Sequence, residues 1–221
     1  MFISMEVERL YVKEFYEKVA DSWVNIRQKF KIIEKFRSLR NKKIIEIGCG
    51  TATQLSGFKN NNFLVGVDFS KNMIKNAKEY IKRKKLNVCL IIADARNLPF
   101  KNDSFDFVFS IATIHHIKKR AERIKALNEM IRISKNICLI SVLKRVSSLT
   151  IFRLIPSFLR FFCFGDILLE WKYRGKTLKR FYHTYSKREI KRDLEILKVK
   201  EFKIIEDKYN YYLIIKKLIK K

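Results

Sequence analysis

The feature that most constrains the fold is an apolar segment that ends in two closely spaced glycines. Residues 43–47 predict a buried strand, and Gly48-Cys49-Gly50 follows it directly. Glycine lets the backbone turn sharply and approach a ligand closely. In an open parallel sheet, ligands bind at the carboxyl ends of the strands. We therefore expect a ligand beside this loop.

Strands and helices alternate along the following hundred residues. Further strands are predicted at 63–67, 88–93, 105–111 and 137–143, and helices at 70–84 and 119–133. This alternation implies right-handed crossovers and a parallel sheet with helices on both faces. Residues 200–207 and 211–217 predict a final antiparallel hairpin, because only three residues separate them. The predicted fold is α/β: a Rossmann-like, doubly wound, mostly parallel seven-stranded sheet.

The 221 residues fit a single domain. We divide it into N-terminal helices (1–40), a ligand-binding half (41–145), a substrate-side segment (146–185) and a C-terminal helix and hairpin (186–221). The apolar stretch 147–169, helical at best, is expected to cover the site or pack on the sheet. Alternatively it lies on a membrane surface. No stretch reaches the roughly 18 uncharged apolar residues of a transmembrane helix.

The net charge of +27 indicates a polyanionic partner, such as RNA or an anionic membrane. Because the charge is spread over the whole chain, a lysine-rich genome is an alternative explanation. The four cysteines form no CxxC pair of the kind that binds zinc. Cys49, Cys89 and Cys138 lie in or beside predicted buried strands, as expected of reduced core residues in the cytoplasm.

Suggestive residues follow four of the predicted strands. Asp68 stands 18 residues after Gly50, a separation that suits an acid binding a ribose diol. The third and fourth strands are followed by Asp94-Ala95 and by Ser110-Ile111, the latter just before His115-His116. A dinucleotide site is the alternative, but it requires a third glycine where this chain has Thr53.

The sequence E-I-G-C-G with Asp68 and the Asp94-Ala95 pair resembles class I S-adenosylmethionine-dependent methyltransferases. The resemblance implies that the glycine loop passes the methionine part of S-adenosylmethionine, that Asp68 binds the ribose hydroxyls, and that Asp94 with Ala95 frames the adenine. The implied cofactor-binding set is Glu46, Gly48, Cys49, Gly50, Asp68, Phe69, Asp94, Ala95, Ser110 and Ile111.

A closer resemblance is to the tRNA wobble-uridine carboxymethyl methyltransferases, which esterify 5-carboxymethyluridine in the anticodon. The similar segments are 15–20 with Arg27, 93–100, 110–116, 166–171, 180–185 and 209–212. The chain departs from the family's pattern at Glu170, where the family has proline, and at Tyr209, where it has aspartate; two family tryptophans are also replaced. The resemblance also implies tRNA as a partner, together with a small zinc-binding activator subunit.

Methyl transfer to a carboxylate requires no general base, because the carboxylate is already ionised at neutral pH. The protein must instead position the anion, a task that suits an arginine or a histidine donor. We expect the catalytic substrate set to be Arg27, His116, Arg180 and His183. Each has an alternative role: His116 as a cap or core residue, Arg27 in an ion pair, and residues 179–185 as a core strand.

Three hypotheses follow. A tRNA methyltransferase predicts a basic surface at the cavity mouth that includes Arg27, Lys179 and Arg180. A small-molecule, lipid or quinone methyltransferase predicts a closed apolar pocket walled by residues 147–169. A non-catalytic RNA-binding protein predicts a blocked or degraded cofactor site.

Overall fold

The computed structural model describes residues 14–20, 30–58, 61–145 and 165–217. The described strands are β1 (Lys43–Ile47), β2 (Phe63–Asp68), β3 (Val88–Ile92), β4 (Phe105–Ser110), β5 (Ser134–Leu143), β6 (Asp166–Tyr173), β7 (Lys176–His183), β8 (Phe202–Glu206) and β9 (Asn210–Lys216). The helices are α1 (residues 14–20), α2 (Lys31–Glu34), α3 (Lys71–Lys84), α4 (Arg120–Ile133) and α5 (Lys187–Ile196), with short 3₁₀ turns at Leu55–Gly57 and Ile114–His116.

Seven strands form the main sheet in the order β3-β2-β1-β4-β5-β9-β8. Strands β1 to β5 pair in parallel, whereas β9 is antiparallel to both β5 and β8. This confirms the predicted seven-stranded Rossmann-like sheet with a C-terminal antiparallel hairpin. From β1 the chain adds β2 and β3 on one side, and then crosses to the other side of β1 to add β4 and β5. Such a reversal of strand order is where open α/β sheets bind ligands.

The two-stranded sheet of β6 and β7 was not predicted. We expected residues 147–169 to be helical at best, but residues 166–169 belong to β6, which pairs antiparallel with β7 from Asp166–His183 to Tyr173–Lys176. The turn at Arg174-Gly175 has φ of 48° and 73°. Two successive positive φ angles match the twist of a tight hairpin. Residues 147–164 lie outside the described residues.

Two apolar clusters cover the faces of the sheet, because successive strand residues point to opposite sides. Ile45 and Ile47 pack with α4 and α5 on one face, and Ile44 packs with α2 and α3 on the other. Full burial of an aliphatic side chain contributes about 1.5–3 kcal/mol, so these clusters hold the carboxyl ends of β1 and its neighbours in fixed positions.

The edge strand β3 departs from our expectation for Cys89. Cys49 and Cys138 are buried, but Cys89 is exposed, and Ile92 is also exposed. Among the described strands, β3 pairs with β2 alone, so it lies at the edge of the sheet, where side chains on both faces are less covered than those of the central strands. Among the described helices, none is both long and apolar enough to cross a membrane.

Hydrogen bonds at helix ends anchor α1 beside the sheet. Ser70 caps α3 by accepting from the Met73 N–H at 3.1 Å. The Glu17 carboxylate of α1 accepts from the Lys71 and Asn72 N–H groups at 2.7 and 3.0 Å. A carboxylate at a helix N-terminus is stabilised by the helix dipole, so this contact fixes α1 near the carboxyl end of β2.

Candidate active site

A cavity of about 1340 Å³ lies at the carboxyl ends of the central strands. It is bordered by the glycine loop, α1, the start of α3 and the β6–β7 hairpin. Nine of the ten predicted cofactor-binding residues line it: Glu46, Gly48, Cys49, Gly50, Asp68, Phe69, Asp94, Ala95 and Ile111. The third hypothesis required a blocked site, whereas this cavity is open.

The glycine loop has a backbone shape that only glycine accommodates easily at its first position. Gly48 has φ of +73°, and a Cβ atom built there would lie 2.3 Å from the Thr113 Oγ1 atom. The Gly48 and Cys49 N–H groups both donate to the Val67 carbonyl, at 2.7 and 2.9 Å. These bonds tie the loop to β2, so its backbone forms a firm wall of the cavity.

Asp68 joins the end of β2 to the glycine loop. Its Oδ2 accepts from the Gly50 N–H at 2.9 Å, and its Oδ1 accepts from the Ser70 N–H at 3.0 Å. Burial raises the pKa of Asp68 to about 6, although these backbone donors oppose the shift. The carboxyl is therefore both a structural link and a titrating group on the cavity wall.

Glu46 is the clearest sign of a cationic ligand. Its side chain is 3% exposed and lines the cavity, and its Oε2 is buried with no hydrogen-bond partner among the described residues. Burial, and then the charge of Asp68, raise the pKa of Glu46 well above its ordinary value. A buried carboxyl without a donor is costly, and a cation in the cavity would relieve that cost. The sulfonium and ammonium groups of S-adenosylmethionine fit this requirement.

Ser110, the tenth predicted cofactor residue, does not reach the cavity. It is fully buried, and its hydroxyl donates to the Ile47 carbonyl at 2.9 Å. It therefore links β4 to β1 and supports the cavity from behind.

Arg180 and His116 are the two members of the predicted substrate set that line the cavity. The Nη2 atom of Arg180 donates to the Nε2 atom of His116 at 2.5 Å and also to the Tyr16 hydroxyl. The guanidinium carbon lies 5.0 Å from the Tyr16 ring centre and 4.7 Å from that of Tyr182. Aromatic faces at this distance attract a cation, so these contacts help to hold the guanidinium of Arg180 on the cavity wall.

The two adjacent histidines hold their protons on opposite ring nitrogens, as their partners imply. The Nδ1 of His116 lies 2.9 Å from the Phe181 carbonyl, which can only accept, so Nδ1 carries the proton and Nε2 accepts from Arg180. The Nδ1 of His115 accepts from the Leu143 N–H at 3.3 Å, which places its proton on Nε2. Burial, and then the Arg180 charge, lower the pKa of His115 to about 3 and that of His116 well below its ordinary value. Both rings are therefore neutral.

The hydrogen bonds of His116 differ from those we expected. We expected it to donate to the substrate, but both of its ring nitrogens already bond within the protein, one to the Phe181 carbonyl and one to Arg180. This geometry suits a residue that positions Arg180. His115, which also lines the cavity, carries the Nε2–H donor of the pair.

His183 is not among the residues that line the cavity, contrary to the predicted substrate set. It is 4% exposed, and its ring bridges the Asp166 and Glu189 carboxylates at 2.5 and 2.6 Å. It stands three residues from Arg180 on β7, and side chains at odd spacing point to opposite faces of a strand. Arg27, the fourth member, lies outside the described residues.

The sequence did not single out Tyr16 or the lysines of the cavity wall. The segment 15–20 was recognised as a similar motif, but the sequence did not show which ring faces the site. The lining lysines are Lys31, Lys35, Lys118, Lys119 and Lys208. Lys179, which we expected at the mouth, is exposed but is not a lining residue.

Comparison with known proteins links this geometry to methyl transfer. A family model described as a methyltransferase domain matches residues 44–136. The tRNA (carboxymethyluridine(34)-5-O)-methyltransferase of Saccharomyces cerevisiae is 31% identical over 129 residues, covering 57% of this chain and 44% of that protein. Its Schizosaccharomyces pombe counterpart is 29% identical over 133 residues, with 59% and 55% covered. The chain thus spans about half the length of these relatives.

Solved structures show the same fold. An S-adenosylmethionine-dependent methyltransferase from Methanosarcina mazei superposes with a TM-score of 0.71 at 20% identity, covering 88% of this chain and all of that one. A methyltransferase from Haloferax volcanii, solved in complex with the Trm112 methyltransferase activator, gives a TM-score of 0.50 at 20% identity over 59% of this chain and 60% of that one.

Proposed function

We propose that the chain uses S-adenosylmethionine to methyl-esterify 5-carboxymethyluridine at the wobble position of tRNA; the match of residues 44–136 to a methyltransferase-domain model supports the reaction type. The observation that carries this proposal is the buried guanidinium of Arg180. It lines the same cavity as the glycine loop and Glu46, so an anion-binding group and a cation-binding group share one chamber. A carboxylate acceptor and a sulfonium donor need this combination.

Bound S-adenosylmethionine supplies a methyl group activated by the positive charge on its sulfur. Glu46 and Asp68 are the residues of this chain suited to hold it, together with the glycine-loop backbone. The acceptor carboxylate is ionised at neutral pH, so none of these side chains has to remove a proton. The chain's task is to orient the two reactants and exclude water.

The neutral state of His116 preserves the charge of Arg180. A carboxylate in the position of His116 would neutralise the guanidinium, whereas the neutral imidazole orients it without cancelling its charge. Burial raises the pKa of Tyr16 far above its ordinary value, so its phenol stays protonated. Tyr16 accepts from Arg180, so an uncharged phenol lies beside the guanidinium.

Three observations support tRNA as the substrate. Five lysines line the cavity, the net charge is +27, and two relatives about 30% identical are named as tRNA carboxymethyluridine methyltransferases. Lysines that contact phosphates release counterions and supply most of the sequence-independent affinity for nucleic acid. A polyanion would therefore be drawn to the mouth of this cavity.

We also propose a small zinc-binding activator subunit as a partner and the cytoplasm as the location. The support for the partner is the edge strand β3, which pairs with β2 alone among the described strands and where Ile92 is 51% exposed, together with the fold shared with the methyltransferase of an activator complex. An edge strand with exposed apolar side chains can be completed by another chain. The support for the cytoplasm is the tRNA substrate and the buried free thiols of Cys49 and Cys138.

The test is transfer of labelled methyl from S-adenosylmethionine to tRNA carrying 5-carboxymethyluridine, with and without the zinc-binding subunit. We expect the methyl ester in nucleoside analysis. Arg180→Met removes the buried charge at similar size and should abolish transfer while cofactor binding persists. Arg83→Met, on the exposed last turn of α3, is the matched control and should retain transfer. No transfer by the wild-type complex, despite measurable cofactor binding, would contradict the proposal and favour a small-molecule or lipid substrate.

A further inference from the structure

The turn between β8 and β9 presents an aromatic side chain at the cavity. Tyr209 is 54% exposed and lines the cavity together with its neighbour Lys208. The first residue of β9, Asn210, pairs with Leu143 at the carboxyl end of β5. The turn therefore lies at the same edge of the sheet as the glycine loop.

Hydrogen bonds hold this turn in a defined shape. The Asp207 Oδ1 accepts from the Tyr209 and Asn210 N–H groups at 2.8 and 2.7 Å, and its Oδ2 accepts from the Tyr212 hydroxyl at 2.6 Å. The Tyr209 carbonyl accepts from the Lys144 N–H at 2.7 Å. An exposed ring on an ordered backbone loses little conformational entropy when it binds a flat partner.

Two ion pairs hold the end of β8, directly before the turn. Glu206, the last residue of β8, bonds to the ammonium groups of Lys144 and Lys187 at 2.9 and 3.0 Å. Lys208, in contrast, places its Nζ 5.1 Å from the Tyr209 ring centre. The mouth thus carries an aromatic face with a positive charge beside it.

We propose that Tyr209 stacks on a base next to the nucleotide that enters the cavity, while Lys208 contacts an RNA phosphate. This inference rests on the proposed tRNA substrate. Aromatic stacking combined with a positive groove is the general way in which proteins hold single-stranded nucleic acid. Every base has a flat face, so this contact would place the anticodon loop without reading its sequence.

An RNA partner suits this surface better than a protein one. Lys31, Lys35, Lys118 and Lys119 line the same cavity, and protein interfaces are depleted in lysine relative to the rest of the surface. A single exposed tyrosine among lysines matches the composition of a nucleic-acid groove. If the zinc-binding subunit docks on Tyr209 instead, the experiment below detects it.

The test uses anticodon stem-loop RNAs that contain 5-carboxymethyluridine, with the base on each side either present or removed as an abasic nucleotide. Affinity is measured by fluorescence anisotropy with the full chain. For wild type, removal of the stacking base should weaken binding by roughly 5- to 100-fold. Tyr209→Ala should show the same loss on intact RNA and no further loss on the abasic RNA, whereas Tyr209→Phe should behave like wild type.

Two control variants separate stacking from charge and from general damage. Phe63→Ala removes an aromatic of similar exposure, 53%, at the amino end of β2 on the opposite edge of the sheet, and should leave RNA affinity unchanged. Lys208→Ala should reduce the slope of log affinity against log salt by about one, because one phosphate contact is lost.

Three results would overturn the inference. Tyr209→Ala could bind and methylate intact stem-loop RNA as wild type does, which would leave the proposed function standing without this subsite. Tyr209→Ala could remain as sensitive to the abasic site as wild type, which would place the stacking elsewhere. Tyr209→Ala could lose the zinc-binding subunit while keeping RNA affinity, which would assign the ring to a protein interface. Failure of wild type to bind or methylate any RNA is a different result, because it removes the proposed function itself.

Discussion

The Nη2 atom of Arg180 lies 2.5 Å from the Nε2 atom of His116, and this bond joins residues 64 positions apart. Because the Phe181 carbonyl fixes the proton of His116 on Nδ1, the Nε2 lone pair always faces the guanidinium. His116 thereby orients the charged guanidinium of Arg180.

Replacement of His116 by alanine should impair the reaction through Arg180. A hydrogen bond to a charged group contributes about 1.5–3 kcal/mol, so kcat/KM should fall roughly 10- to 100-fold while S-adenosylmethionine affinity stays near wild type. Methyl-transfer kinetics measure the change in kcat/KM, and calorimetric titration measures the affinity for S-adenosylmethionine. His116→Gln, which offers an amide oxygen to Arg180, should recover part of the loss; no difference between the two variants would argue against a positioning role.

Cofactor binding should strengthen as pH rises from 5 to 7. Burial holds the pKa of Asp68 at about 6 and that of Glu46 well above its ordinary value, so both carboxyls carry protons in acid. A cationic ligand favours their ionised forms, and binding must release protons. The dissociation constant should therefore fall with rising pH, and calorimetry in buffers of different ionisation enthalpy should detect the released protons.

Glu46→Gln tests which acid is responsible. The amide has nearly the same shape but no charge, so affinity for S-adenosylmethionine should drop about tenfold, equivalent to about 1.4 kcal/mol, with a weaker pH dependence. Adenosine lacks the cationic methionine part and is the matched ligand control. If adenosine binding weakened equally, Glu46 would be acting on the cavity's shape and not on charge.

Local pattern was sufficient to predict the main sheet. Strands β1 to β5 and the final hairpin have apolar residues at strand spacing, and helices α3 and α5 begin directly after serine caps, Ser70 and Ser186. The glycine loop was predictable for a similar reason, since two glycines directly after a buried strand serve few other purposes.

Contacts between distant segments were not predictable. The Tyr16–Arg180 bond joins residues 164 positions apart, and no local pattern in either segment indicates that the two side chains meet. From the sequence, His116 and His183 were equivalent candidates. The folded chain places His116 against Arg180 and His183 between two carboxylates. Strand β6 was missed because its first residues, 166–169, end the apolar stretch 147–169 and do not show the apolar–polar alternation of a half-buried strand.

Gly48→Ala should abolish cofactor binding, and Gly175→Ala provides a matched comparison. Both glycines have φ of +73°, but a Cβ at Gly48 would clash with Thr113, whereas nothing lies within 4 Å of one at Gly175. Each substitution places alanine in the left-handed backbone region, which lowers the free energy of unfolding by about 1 kcal/mol. Only Gly48→Ala also introduces a clash, with Thr113. Thermal melts should show a small loss for Gly175→Ala and a larger one for Gly48→Ala. Equal melts and equal affinities would contradict the assigned packing of the loop.

His183 should stabilise the fold in a pH-dependent way. Burial alone lowers its pKa, but the hydrogen bonds to Asp166 and Glu189 outweigh that effect and raise the pKa above 6.5. Arg123 also faces Glu189, at 3.6 Å, and opposes part of this shift. Because the folded pKa is the higher one, the stabilisation is fully present below pH 6.5 and is lost as pH rises through the folded pKa.

His183→Gln should therefore melt below wild type by the widest margin in mild acid. At pH 6 the loss of a charged bridge should cost about 2 kcal/mol, or about 4–8 °C for a chain of this size. The difference in melting temperature should narrow as pH rises through the raised pKa of His183, where the wild-type ring loses its charge. Cofactor affinity should be unchanged at pH 7.5, since His183 does not line the cavity. A gap that stays constant across this pH range would show that packing, and not the imidazolium, holds β7 to α5.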